Sequence, residues 1–279
     1  MTTTVTQENP VSLTLPHAVS HPVVKPAVVS GAHGDRLEEM PLTTTIHEFL
    51  FKVVKNGVVF WVGVAVPLGT TDFTRIQVFF HPTVVQIPVV HARDEDYPTF
   101  AGGWSSTLKR YIALQGGQLA ASRRLPLLVP FTTMAALGGG AQNMFTTDPV
   151  GTLRAVTAAV QNAFVPFVLP PPELRAVGVT SFSSGISAMR MFIAAMKSSG
   201  LVREVIDLDS PFIVGEPADL TPSPGAVSSC YTQVPRAHPP PGYAFMPASM
   251  FAGLSSHRDV HARIGHMMYH TAMITSVVV

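Results

Sequence analysis

The chain has 279 residues, 47% hydrophobic and 13% charged, with a formal net charge of +1. This balance suits one large globular domain with a substantial core and excludes a mainly disordered chain. No run of Lys or Arg supplies the clustered cations that a phosphate backbone requires, so nucleic acid is set aside as a partner.

In chain order, the opening MTTTVTQENP lacks the basic and apolar regions of a secretory signal. The expectation is a soluble protein, cytoplasmic or exported without a recognisable signal. Residues 1–40, rich in Thr, Pro and Val, read as an N-terminal arm, partly irregular, leading into a domain over 41–279. HEFLFKVV and GVVFWVGVAV read as strands joined through Asn56-Gly57, a hairpin signal. The second of these, extended to GVVFWVGVAVPLG, is too short to be a transmembrane segment. TRIQVFF is a further buried strand that stops at His81-Pro82, where the proline ends ladder pairing.

WSSTLKRYIALQGGQLAAS reads as a helix weakened at Gly116-Gly117, and LPLLVPF as a short strand. Asp148 is placed to cap a helix over PVGTLRAVTAAVQNAF, with Pro149 at its first position. Then follow LRAVGVTSF as strand, GISAMRMFIAAMKSSG as helix and LVREVIDLD as strand. Strands alternating with helices predict an α/β fold with a predominantly parallel central sheet flanked by helices. The single cysteine, Cys230, can close no internal disulfide and build no thiolate metal site.

The junction GVTSFSSGIS passes from a strand directly into a helix. A nucleophile elbow at such a corner needs small residues two positions to either side of its serine. Ser183 meets that test, flanked by Ser181 and Gly185; Ser184 would have Phe182 and Ile186, and Ser181 would have Val179 and Ser183. A plain capped turn satisfies the same pattern. In the catalytic reading Ser183 is the nucleophile, and Ser184 N–H at the helix start is one oxyanion donor.

At this point the chain resembles the α/β-hydrolase superfamily, in its serine esterase and lipase-like branch. SFSSG at the elbow, VFFHP after an earlier strand and a histidine near the C-terminus carry the resemblance. Ser181 stands where the family's usual elbow has its first glycine. The resemblance implies a second oxyanion donor from the loop after His81; Pro82 has no N–H, so the role passes to Thr83 or Val84. It also implies the chain order serine, acid, histidine. His261, in VHARIGHMMYHTA, fits the base at the start of a late helix, with His257 as the alternative.

Asp209, before Ser210-Pro211, fits the acid, with Asp207, Glu216 and Asp219 as competitors; Asp207, two positions earlier in the strand, is expected to point the same way. His266 and His270 have HxxxH spacing, but no third ligand accompanies them and no metal or cofactor is expected. The implied function is hydrolysis of a carboxylic ester, or a related acyl bond, through an acyl-enzyme on Ser183. The bordering aromatics Tyr97, Phe100, Trp104, Tyr243 and Phe245 suit an apolar small-molecule acyl or ester substrate. A hydrolase-like scaffold that binds without turnover and an acyltransferase of the same fold are the alternatives, and the oligomeric state is left open.

Overall fold

The computed structural model describes residues 3–8, 17–25, 38–81, 123–131, 144–145, 147–165, 169–211, 220, 225–234, 243–247, 250–251, 256–269 and 272–273. Among these residues ten strands form one sheet: β1 Thr3–Glu8, β2 His17–Lys25, β3 Glu38–Lys55, β4 Val58–Pro67, β5 Arg75–Phe80, β6 Leu127–Pro130, β7 Ala176–Phe182, β8 Val202–Leu208, β9 Val227–Thr232 and β10 Tyr243–Phe245. Among the described residues three α-helices accompany them: α1 Pro149–Phe164, α2 Ile186–Met196 and α3 His257–Arg263, the last continuing into a π-helical turn over Ile264–Met268.

The strand order is β1-β3-β4-β6-β5-β7-β8-β9-β10, with β2 also paired to β3. From β6 to β10 every pairing is parallel, whereas β1 to β4 join antiparallel. Asn56 and Gly57, both at positive φ, form the two-residue turn that sets Lys55 opposite Val58 in the β3–β4 hairpin. The composition boundary at 40/41 falls inside β3, and residues 3–8 and 17–25 of the expected arm are strands laid along it. Pro22 faces Pro41 in that register, and their missing N–H groups disguise the strands in the sequence. The helix expected over WSSTLKRYIALQGGQLAAS lies outside the described residues.

Both faces of the sheet are covered, which is why its strands read as nearly continuous apolar runs. Val62, Val64, Val78, Phe80, Val177, Val179 and Val205 face α1 and α2, meeting Leu153, Val156, Val160, Met189 and Phe192. Trp61, Phe79, Leu127, Phe182, Ile206 and Leu208 face the other way, onto Val260, Ile264, Met268 and Tyr269 of the α3 segment. Asp148 caps α1 as expected, its carboxylate accepting from Gly151 N–H. Buried polar groups also tie these elements together. Lys55 donates to the Met144 and Thr147 carbonyls and to Thr152. Glu204 accepts from Gln77 and from both terminal nitrogens of Arg123, whose guanidinium also holds the carbonyls of Ala272 and Met273. Among the described residues no helix is long and apolar enough to cross a membrane.

Candidate active site

The chain leaves β5 toward β6 on one side and leaves β7 toward β8 on the other, although β5 and β7 are neighbours. Adjacent parallel strands whose connections diverge open a crevice at their carboxyl ends, where ligands bind in open α/β sheets. Phe80 pairs with Ser181 at that edge, so His81 and Ser183 both stand at the crevice.

Ser183 turns the chain there with φ of 58°, in the left-handed region that non-glycine residues rarely occupy. A short 3₁₀ turn, Ser183–Gly185, follows and runs into α2, with Ile186 N–H donating to the carbonyls of Ser183 and Ser184. Gly185 is fixed by space: a Cβ there would lie 2.1 Å from the Phe80 carbonyl oxygen and 2.9 Å from that of His81. The turn sits directly on the end of β5. His81 is buried and packs edge-on against Phe131. Thr83 and Val84, expected as second oxyanion donors, lie outside the described residues, as do Glu216 and Asp219.

Asp209, one residue beyond β8, also has φ of 58°. Its carboxylate accepts from Thr232 Oγ1 at 2.9 Å, Gln233 N–H at 2.9 Å, Gln233 Nε2 at 2.7 Å and His261 Nδ1 at 2.7 Å. Four donors fill the acceptor sites of a carboxylate. With Nδ1 donating to Asp209, the imidazole keeps Nε2 as its acceptor. His261 also stacks on Phe182, ring centroids 4.7 Å apart and planes inclined by 29°. That contact places the imidazole against the residue that immediately precedes Ser183. Phe182 in turn lies on Gly265, where a Cβ would come within 2.7 Å of the ring.

His257, the alternative base, is exposed, and its Nδ1 meets Gln233 Oε1 at 3.1 Å. Gln233 Nε2 also donates to the His257 carbonyl at 3.0 Å, so one glutamine joins Asp209 to the first residue of α3. Sequence reasoning missed Gln233, because nothing in YTQV marks its side chain as a bracket between two elements.

Asp207 corrects the expectation that it shares the direction of Asp209. As a strand residue it turns to the α2 face with Val205, and its carboxyl is buried among Ser181 Oγ at 2.5 Å, Ser210 Oγ at 2.5 Å and Tyr243 Oη at 2.6 Å. The left-handed turn at Asp209 sends the later carboxylate to the α3 face instead. Burial pushes the Asp207 carboxyl above the usual carboxylate range, against the downward pull of those three hydroxyls. Tyr243, expected to border the site, is thereby turned inward, while Phe245 is exposed. Among the described residues, no group of three or more His, Cys, Asp or Glu is arranged to hold a metal; the His266 and His270 side chains are outside them.

No family model matches the sequence. No curated protein does either. Among solved structures the chain is similar to a thermostable esterase from Pseudomonas putida, with 13% identity over 59% of this chain and 44% of that one, at a TM-score of 0.33. It is similar to a fungal esterase from Rhizomucor miehei, with 13% identity over 59% of this chain and 45% of the other, at a TM-score of 0.35. A cold-adapted esterase from an Arctic intertidal metagenomic library gives 15% identity over 58% of each chain, at a TM-score of 0.32. The chain thus spans less than two thirds of each of these proteins. Other solved structures to which it is similar are likewise an esterase and a hydrolase, and the sheet of this chain is mixed, parallel from β6 to β10 and antiparallel from β1 to β4.

Proposed function

We propose that the protein is a serine hydrolase that cleaves a carboxylic ester, or a related acyl bond, of an apolar small-molecule substrate. The observation that carries this reading is the Asp209–His261 contact of 2.7 Å, with His261 stacked on the residue next to the strained Ser183. Ser183 Oγ attacks the acyl carbon, and His261 Nε2 takes its proton. Asp209 holds the imidazole in the tautomer that leaves Nε2 free to accept and stabilises the imidazolium as it forms. Ser184 N–H, at the start of the turn into α2, donates to the oxyanion, with Thr83 as its partner donor. The proton returns through His261 to the leaving alkoxide, and water then attacks the acyl-enzyme by the same route in reverse roles.

The test is reaction with a fluorophosphonate, followed by mass-spectrometric mapping of the adduct. A phosphonylated Ser183, lost in Ser183→Ala, is the expected result. Absence of any adduct on the folded protein would replace this reading with that of a binding scaffold.

A further inference from the structure

The Ser183 carbonyl is held twice, by Ile186 N–H from within the turn and by Ser210 Oγ at 2.8 Å from the next strand's end. Ser210 Oγ also lies 2.5 Å from Asp207 Oδ1. The cluster therefore contains four oxygen–oxygen hydrogen bonds: Ser210 to the Ser183 carbonyl, and Asp207 to each of Ser210, Ser181 and Tyr243. The three hydroxyls bring one proton each. A Ser210 proton spent on the Ser183 carbonyl leaves the Ser210–Asp207 contact without one, unless the carboxyl supplies it. The Ser210 main-chain N–H also bonds the Asp207 carboxyl, but it places no proton between the two oxygens of the Ser210–Asp207 contact. Cys230 pairs with Asp207 in the sheet register as a buried thiol.

We propose that Asp207 is a neutral acid which donates to Ser210, and that this two-residue relay aims the Ser184 N–H at the oxyanion. The geometry of the peptide group gives the relay its effect. The 183–184 peptide is planar and trans, so its C=O and N–H point in opposite directions. Drawing the Ser183 carbonyl down toward the buried Ser210 turns the Ser184 N–H away from the cluster, toward the crevice edge. Asp207 and Ser210 are positioning residues that touch no reacting atom. The proposal rests on the serine-hydrolase reading for its kinetic consequence but not for the protonation state.

Two measurements on the full chain test it. In the first, steady-state hydrolysis of a p-nitrophenyl ester is compared in Ser210→Ala, Asp207→Leu and Asp207→Asn. Loss of one aimed donor should lower kcat about tenfold or more in the first two, with KM nearly unchanged, because an oxyanion donor acts on the transition state. Asp207→Asn, whose amide can donate to Ser210, should recover most of the loss seen in Asp207→Leu. Wild-type kcat in Ser210→Ala, or an Asn variant no better than Leu, would overturn the proposal. In the second, infrared difference spectra between wild type and Asp207→Asn should show the carbonyl stretch of a protonated carboxyl at neutral pH. Its absence would overturn the proposal whether or not the variants fold well. A protein that shows the carboxyl band but takes up no fluorophosphonate would retain the neutral acid and lose the catalytic reading, so the two failures are separable.

Discussion

Phe182 and His261 lie nearly face to face, 4.7 Å between ring centroids, although one ends β7 and the other sits on α3. The pair joins the element that presents Ser183 to the element that carries the proposed base. The Asp209 hydrogen bond fixes the distance of the imidazole, while the Phe182 ring fixes its plane.

Phe182→Leu should therefore keep a buried apolar side chain but release the imidazole plane. The expected effect is a loss in kcat of about tenfold with a small change in KM, on the general ground that misplacing a reacting group is costly. Thermal unfolding should fall by only a few degrees, as for about 1 kcal/mol in a domain of this size. Unchanged kcat would remove Phe182 from the site.

Asp209→Asn should slow ester hydrolysis by roughly three to four orders of magnitude, since an amide at this point favours the wrong imidazole tautomer. Gln233→Leu should show a smaller loss, because Asp209 retains Thr232, the Gln233 main-chain N–H and His261. Equal losses in the two variants would mean that the bracket, not the carboxylate, sets the activity.

Gly185→Ala should destabilise the fold by at least about 3 kcal/mol, beyond the usual cost of one added methyl group. The new Cβ would meet backbone, the Phe80 carbonyl at 2.1 Å, and no side chain can rotate aside. Urea unfolding monitored by circular dichroism measures it; a wild-type midpoint would show that the turn lifts freely off β5.

The pH dependence of stability carries the sign of Asp207. Its folded-state pKa is raised by burial, so between the unfolded value of about 3.9 and the higher folded value the native state holds a proton that the unfolded chain has lost. Stability from this group is present at low pH and is lost as pH rises through that window. Cys230 and Tyr243 share the site and have their own pKa values raised by burial, with Arg190 acting on Tyr243 in the opposite direction. In urea titrations, the stability of Asp207→Asn relative to wild type should therefore increase as pH rises above about 4. A pH-independent difference would show that Asp207 has the same protonation in both states.

Cys230 gives an independent check of that interior. Burial pushes its thiol up to about 12, so almost no thiolate exists near neutral pH. Ellman's reagent should leave the native protein unmodified and react with one equivalent once the chain is unfolded in guanidinium.

What was legible in the sequence is local. Ser183 stood out because its neighbours at two positions on either side are small, and the contact of Gly185 with Phe80 supplies the physical reason for one of them. Asn56-Gly57, Asp148-Pro149 and the alternation of strand and helix were legible for the same reason: each is set by a few adjacent residues. The interior of the site depends on register. Cys230 lies beside both Asp207 and Tyr243 only because β9 pairs with β8 and β10 at those positions. Likewise, that Asp207 and Asp209 serve opposite faces follows from one backbone torsion, and residue type does not reveal it.

The order of these parts along the chain also has a consequence in time. Ser183 and Asp209 stand at the ends of neighbouring strands, but His261 follows Asp209 by 52 residues. At a synthesis rate of roughly 5–20 residues per second, the ribosome delivers His261 several seconds after Asp209. Until α3 docks on β8 and β9, the nascent chain displays a bent serine with no partner to take its proton. In the proposed enzyme, hydrolytic competence is thus withheld during translation and acquired only when the C-terminal segment closes over the finished sheet.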